Sequence, residues 1–200
     1  MRIFQINLNK LLLEQEIRMP LQSPIKELPL PGVKLADLQR FPSEHGILTE
    51  TLRSDWKGLL DEDSIVQANL SVTYPGIVRA WHRHERGQVD YFLVVRGSIK
   101  VCAYDDDEKS PTKGHLVEVV LSDARLQILR VPGHYWHGFK VVGNEPAYLI
   151  YFVNKLYDYT NPDEKRRPWN DPKIVPVAIN GRTDDPRVNK PWDWLYPPHK

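Results

Sequence analysis

Short apolar runs bounded by turn-forming residues recur along most of the chain from Gly46 onward. They are ILTETL, SIVQANLSV, VDYFLVV, SIKVCAY, LVEVVL, LQILRV, GFKVV and AYLIYFV. Such runs, rich in Val, Ile, Leu and Tyr, are typical of β-strands, and many short strands separated by turns predict a sandwich or barrel. In SIKVCAY the residues Ile99, Val101 and Ala103 alternate with others that include Cys102. This two-residue period predicts a strand with one buried apolar face and Cys102 on the opposite face.

Turn residues predict how these strands connect. Arg96 and Gly97 separate two strand runs and predict a tight hairpin, whereas residues 105–114 predict a longer polar loop. The best helix candidate is residues 11–19. The chain has 17 prolines, which end helices and are excluded from central strands, so we expect few long helices.

The pattern divides the chain into one core domain with two flanking segments. Residues 1–42 are predicted to be an N-terminal arm with little core of its own, and residues 43–155 the β-sandwich domain. Residues 156–200 contain many prolines and are predicted to run as an extended tail over the domain surface. Trp169, Trp192 and Trp194 are expected to anchor this tail, because large aromatic side chains bury much apolar surface.

Composition narrows the possible partners and compartment. The 200 residues are 41% hydrophobic, which suits a single core. The 27 basic and 26 acidic residues give a net charge of +1, so nucleic acid is not expected as a partner. No apolar run approaches the roughly 20 residues of a membrane span. Cys102 is the single cysteine and no charged-then-apolar leader follows Met1, so we expect no internal disulfide and a cytoplasmic location.

Histidines provide the candidate chemistry. His82 and His84 lie in RAWHRH, and positions i and i+2 of a strand face the same side of a sheet. With Asp90, Gly97 and, in PGHYWHGF, His137, they form an arrangement that resembles the two motifs of the cupin superfamily. The resemblance implies an all-β fold of cupin type, a double-stranded β-helix or jelly-roll sandwich. Inward side chains on neighbouring strands of a small barrel converge near its axis, so we expect these groups to share one cavity.

Such a cavity has two possible uses. His82, His84, Asp90 and His137 could hold a divalent transition metal, because imidazole and carboxylate ligands suit Fe, Mn, Ni or Zn. Alternatively, one imidazole could act as a general base, since its unperturbed pKa is about 6.5.

Longer stretches resemble one family within this superfamily. The stretches QANLSVTYPGIVRAWH, SPTKGHLVEVVLS, VPGHYWHGF and YDYTNPDEKRRPWNDP occur in this order, and the chain resembles the dTDP-4-dehydrorhamnose 3,5-epimerase family over about residues 43–173. The resemblance implies an isomerase without a cofactor that acts on a nucleotide-linked 4-keto-6-deoxy sugar. It removes protons from C3 and C5 and returns them on the opposite face. The resemblance also implies a homodimer in which the N-terminal arm pairs across the interface.

The resemblance assigns roles to individual residues. His82 matches the family's base, and Tyr157 matches its tyrosine acid, with Tyr159 as the rival. Arg79 matches an arginine that contacts the substrate's phosphates, a task that suits a guanidinium. The other expected substrate-binding residues are His84, Gln67, Asn69, Glu50, His45, His137 and Tyr151.

The chain departs from the family at several positions. Asp90 stands where the family has a lysine that stabilises the enolate oxygen, and losing one such donor typically costs about 2.7 to 4 kcal/mol in the transition state. A metal held by Asp90 could supply the missing electrophile, but His82 could not then be both ligand and free base. His45 replaces a family arginine near the diphosphate. Asp184 or Asp185 is the candidate for the aspartate that orients the base.

Several functions therefore remain open. The epimerase is the first hypothesis, and a metal-dependent cupin enzyme or sensor is the second. A sugar-nucleotide 3,4-ketoisomerase shares the fold, but SPTKG and YDYTNPDE fit the epimerases better. A non-catalytic sugar-binding relative is the last alternative.

Overall fold

The computed structural model describes residues 24–197, and its regular structure is nearly all β-strand. The helix predicted for residues 11–19 lies outside the described residues. Helix α1 (Lys57–Leu60) is a single turn, and no helix in the described part of the chain is long and apolar enough to cross a membrane. The strands are β1 (Ile25–Glu27), β2 (Lys34–Asp37), β3 (Arg40–Ser43), β4 (Gly46–Thr49), β5 (Gln67–Thr73), β6 (Val78–Arg83), β7 (Val89–Arg96), β8 (Ser98–Tyr104), β9 (His115–Ser122), β10 (Gln127–Pro132), β11 (Trp136–Val142), β12 (Ala147–Val153), β13 (Lys165–Arg166) and β14 (Ala178–Ile179).

Two six-stranded sheets form a sandwich. The first sheet has the order β1-β2-β10-β7-β12-β5, and the second has the order β13-β6-β11-β8-β9-β14. All pairs within them are antiparallel except β14 with β9. Strands β3 and β4 form a separate hairpin. The predicted all-β sandwich of cupin type is confirmed, and each of the eight apolar runs contains a strand.

The main core lies between the two sheets. Ile99, Val101 and Ala103 of β8 point into it, and Phe92 and Leu129 face them from the first sheet. Cys102 packs in a second cluster on the outer side of β8. The predicted division of this strand into two faces is therefore confirmed, although its outer face is also buried.

The predicted hairpin at Arg96 and Gly97 was wrong. Strand β7, which ends at Arg96, belongs to the first sheet, whereas β8 belongs to the second. Gly97 has φ +79°, and a Cβ atom there would lie 2.7 Å from the carbonyl oxygen of Pro146. The glycine is therefore required for a sharp crossing between sheets. The long loop predicted at residues 105–114 is confirmed between β8 and β9.

The described part of the predicted N-terminal arm belongs to the sandwich. Strand β2 pairs with β1 on one side and with β10 on the other. Leu30 and Val33, which lie between β1 and β2, are fully buried in the main core. Strand β2 covers the edge of β10, which would otherwise be unpaired. The first sheet therefore begins well before residue 43.

The tail forms a layer over the outer face of the second sheet. Its strands β13 and β14 pair with β6 and β9. Trp192 and Trp194 are buried in one cluster with Trp81 of β6, as expected of anchors. Trp169 is 42% exposed, so the prediction that it anchors the tail was wrong. Its ring lies instead on the wall of the cavity described below.

Candidate active site

A cavity of about 890 Å³ opens on one side of the sandwich, a volume in the range of small-molecule sites. Strands of both sheets form its floor, and residues 155–169 of the tail form one wall. The predicted site residues on its surface are Gln67, Asn69, Arg79, His82, His84, Asp90, Tyr151 and Tyr157. His137 is fully buried behind this surface. Within residues 24–197, the cavity wall does not include His45 or Glu50. His45 is exposed on the β3–β4 hairpin, and Glu50 pairs with Arg53.

A bulge in β6 turns Arg79 and His82 toward the same cavity. His137 of β11 is in register with His82, and Phe139 with Arg79, so β6 carries one extra residue between these pairs. Without the bulge, residues three apart on a strand would face opposite sides of the sheet. The Arg79 guanidinium also donates a hydrogen bond of 2.8 Å to the Ser71 hydroxyl on β5. Arg79 is thus held over the cavity floor beside His82.

The environment of His82 keeps its ring neutral. Burial lowers the pKa of His82 well below its usual range, and the neighbouring His137 and His84 lower it further. Its ring packs edge-on against that of His137, with 4.3 Å between the ring centroids. The His82 ring has no hydrogen-bond partner among residues 24–197. A neutral imidazole with a free lone pair on a cavity surface is suited to accept a proton.

His84 has a defined tautomer. Its Nδ1 donates a hydrogen bond to the carbonyl oxygen of Asp163. Nε2 then accepts from the Gln88 side-chain amide at 3.1 Å. The Asp163 carboxylate in turn accepts the backbone N–H groups of Glu85 and Arg86, at 3.0 and 2.9 Å. Asp163 thereby connects the cavity wall to the end of β6.

Asp90 and His137 meet across the interior of the sandwich. The expectation that the four candidate groups come from neighbouring strands is correct for β6 and β11, but Asp90 lies on β7 in the opposite sheet. Its Oδ2 lies 2.9 Å from Nε2 of His137, and its Oδ1 accepts from Gln88 at 2.9 Å. The candidate groups therefore converge from both sheets.

The same four residues could hold a metal ion. One ligand atom from each of His82, His84, Asp90 and His137 lies within 4.8 Å of the others. Three nitrogens and one oxygen form a donor set that suits Fe, Mn, Ni or Zn. Binding an ion through Nε2 of His84 and of His137 would require these atoms to give up their present contacts with Gln88 and Asp90.

The cavity contains three tyrosines in different environments. Tyr151 of β12 is half-buried in the floor, and its hydroxyl has no hydrogen-bond partner in the described part of the chain. Burial and the nearby Asp90 raise its pKa, which keeps the hydroxyl protonated at neutral pH. Tyr157 and Tyr159 are 45% and 86% exposed, and both lie at the cavity mouth. Tyr151 therefore has the environment expected of a proton donor.

Sequence reasoning missed several basic and aromatic residues of the cavity wall. Arg86, Lys155, Arg166 and Trp169 all line the cavity. The only signal for the last three was their position in or near YDYTNPDEKRRPWNDP, a stretch that resembles a family motif but does not by itself predict a cavity wall.

The candidate orienting aspartates lie in ion pairs of the tail. The carboxylate of Asp184 accepts from Arg182 at 3.0 Å, and that of Asp185 accepts from Arg187 at 2.9 Å. Arg187 also binds Glu118 of β9. The contact between Arg187 and Glu118 connects the tail to β9 of the second sheet.

Comparisons with known proteins find relatives of this chain in sequence and in fold. The chain is 47% identical over 140 residues to the probable low-salt glycan biosynthesis epimerase Agl13 of Haloferax volcanii, which covers 69% of this chain and 87% of the relative. It is 36% identical to the spore coat polysaccharide biosynthesis protein SpsL of Bacillus subtilis, over 72% of this chain and 92% of the relative. A dTDP-6-deoxy-D-glucose-3,5-epimerase of Legionella pneumophila, solved with dTDP-4-keto-L-rhamnose, superimposes with a TM-score of 0.65 and 25% identity, over 72% of this chain and 76% of that one. The family profile described as dTDP-4-dehydrorhamnose 3,5-epimerase matches residues 27–181. The chain belongs to this family of sugar-nucleotide isomerases.

Proposed function

We propose that the chain inverts C3, C5 or both in a nucleotide-linked 4-keto-6-deoxy sugar, with His82 as the base. The observation that carries this proposal is a neutral His82 on one sheet and a protonated Tyr151 on the other, both lining one cavity. Inversion needs a base and an acid on opposite faces of the sugar ring. The positions of His82 and Tyr151 on opposite sheets support these two roles.

The reaction is a proton removal followed by a proton return. Nε2 or Nδ1 of His82 takes the proton from the carbon next to the C4 ketone, and the electron pair of the C–H bond moves onto the ketone oxygen as an enolate. The enolate then collapses and takes a proton from the Tyr151 hydroxyl on the opposite face. Proton exchange with solvent resets both groups.

The cavity also contains groups suited to a nucleotide diphosphate. Arg79 and Lys155 line it and form no ion pair within the described residues. A guanidinium and an ammonium without a protein counter-ion favour a phosphate-bearing ligand. The exposed rings of Tyr157 and Tyr159 at the mouth could stack on a nucleobase.

We propose that this chemistry needs no cofactor. The second candidate is a metal-dependent cupin enzyme, which the convergence of His82, His84, Asp90 and His137 favours. A bound divalent ion would polarise the ketone as a Lewis acid. Elemental analysis of the purified protein separates the two. Stoichiometric Fe, Mn, Ni or Zn that is lost together with activity on chelation would favour the metal reading.

Solvent deuterium exchange tests the epimerase directly. A dTDP-4-keto-6-deoxyglucose standard is incubated with the protein in D₂O, and NMR follows deuterium at C3 and C5. The native protein is expected to exchange at least one position, and His82→Ala is expected to abolish the exchange. His134→Ala is the matched control, because His134 is exposed and lies outside the cavity wall. No exchange by the native protein would refute the proposal for this substrate.

We also propose a cytoplasmic homodimer. Strand β5 is the edge of the first sheet and carries Leu70 and Val72, which are 65% and 44% exposed, on its outer face. The β3–β4 hairpin exposes Ile47 and Leu48 to 56% and 67%. Apolar edge strands of this kind are usually covered, and a second copy of the chain would cover them. The single cysteine suits a reducing compartment.

A further inference from the structure

We infer that Asp90, which occupies the place of the family lysine, is a positioning residue that holds His137 against the base His82. The inference rests on the proposed function, because it assigns a role in the same reaction. It differs from the roles of metal ligand and of charged catalytic group, both of which would need a carboxylate oxygen free to contact an ion or the substrate.

Both carboxylate oxygens of Asp90 are already used inside the protein. Oδ1 accepts a hydrogen bond from Gln88 at 2.9 Å, and Oδ2 lies 2.9 Å from Nε2 of His137. Asp90 is only 2% exposed. Its position on β7 makes this contact a bridge between the two sheets, since His137 lies on β11 of the second sheet.

His137 is held at both ring nitrogens. Its Nδ1 lies 2.8 Å from the carbonyl oxygen of Tyr135, which can only accept a hydrogen bond. Nδ1 therefore carries a proton, and a further proton lies between Nε2 and Asp90. The pair is neutral overall whichever partner holds that proton. The charge of the Asp90 carboxylate is therefore balanced within the pair, but the pair does not replace the hydrogen-bond donor that the family lysine would give to the enolate.

The effect of Asp90 reaches His82 through His137. These two histidines are register partners on adjacent strands, and their rings meet edge to face at 66°. Because the His82 ring forms no hydrogen bond with any residue from 24 to 197, its orientation depends on packing against His137. Asp90 fixes His137, and His137 in turn fixes the plane of the base.

Comparison of Asp90→Asn with Asp90→Ala separates a positioning role of Asp90 from a requirement for its carboxylate charge. An asparagine can accept from Gln88 through its oxygen and donate to Nε2 of a neutral His137 through its amide, so both contacts survive without the carboxylate. We expect Asp90→Asn to keep kcat for C3 and C5 exchange close to that of the native protein. Asp90→Ala removes both contacts, and we expect kcat to fall about 100-fold with KM unchanged, since small misplacements of a catalytic group cost this much.

Each outcome decides between the roles. If Asp90→Asn is as inactive as Asp90→Ala, the carboxylate charge is required and the positioning role is refuted. If Asp90→Ala keeps its kcat, the residue has no role in catalysis and the inference also fails. Should Asp90→Ala not fold, Gln88→Met tests the same network from its other end, and a native kcat there would count against the inference. Failure of the native protein to exchange any proton would refute the proposed function instead.

Discussion

At the scale of single residues, the structure distinguishes tyrosines that the sequence could not. The family resemblance predicted Tyr157 as the acid, but this residue lies at the cavity mouth with 45% of its surface exposed. Tyr151 lies in the floor, where burial and Asp90 raise its pKa. A proton donor needs a shielded hydroxyl directed at the substrate, so we favour Tyr151 as the acid.

Tyr151→Phe and Tyr157→Phe test this choice. We expect Tyr151→Phe to lower the rate of epimer formation by about 100-fold or more, the usual contribution of a general acid. Proton removal by His82 should continue, so deuterium exchange should fall less than epimer formation. Tyr157→Phe should mainly raise KM. The measurement is NMR of exchange and of product with each variant, and the reverse pattern would restore Tyr157 as the acid.

At the scale of elements, the site depends on the β6 bulge and on the glycine beneath it. A Cβ atom at Gly138 of β11 would lie 2.3 Å from Cβ of Ala80 and 2.6 Å from the carbonyl oxygen of Arg79. Both neighbours belong to the bulge that turns Arg79 and His82 to the same side. The glycine of the HGF motif is thus required by close packing of two strands.

Gly138→Ala is therefore expected to damage both stability and catalysis. Overpacking of this kind typically costs about 1 to 3 kcal/mol in the free energy of unfolding. Displacement of the bulge should also lower kcat, because His82 moves with it. Urea unfolding and deuterium exchange measure the two effects. The double variant Ala80→Gly, Gly138→Ala removes the closest contact and should recover part of the stability; no recovery would mean that the clash is with the backbone alone.

The strands also show which elements can be predicted from sequence patterns and which cannot. Alternation found the strands with continuous apolar runs, because burial of one face imposes the two-residue period. It missed β1, β2, β3, β13 and β14, which are two to four residues long and depend on pairing with a neighbouring strand. Gly97 correctly indicated a turn, but a turn-forming residue does not indicate whether the next strand belongs to the same sheet.

The contacts of the candidate site likewise include some that could be predicted from the sequence and some that could not. The pairing of His82 with His84 followed from strand geometry, and the convergence with His137 followed from motif resemblance. The contact between Asp90 and His137 crosses the sandwich, and a linear pattern holds no information about which residues of opposite sheets meet. The raised pKa of Tyr151 depends on burial and on a neighbour 61 positions away in the sequence, Asp90.

At the scale of the whole molecule, the tail layer supports the strand that carries His82. Trp194 is 1% exposed, and its ring centroid lies 4.9 Å from that of Trp81, the residue before His82. The backbone of Trp81 also exchanges hydrogen bonds with Arg167 of the tail. Burial of the tail and the position of His82 are therefore parts of one packing arrangement.

The tail packs against the sheet through Trp194 and lines the cavity through Trp169. The variants Trp194→Ala and Trp169→Ala test these two roles separately. Removing a buried tryptophan typically costs about 3 to 5 kcal/mol, so Trp194→Ala should shift the urea midpoint strongly and lower kcat as β6 loses its support. Trp169 is 42% exposed on the cavity wall, so Trp169→Ala should leave the midpoint nearly unchanged and raise KM. Equal urea midpoints for the two variants would contradict the tail's role as a structural layer. An unchanged kcat in Trp194→Ala would show that the outer layer stabilises the fold without supporting the base.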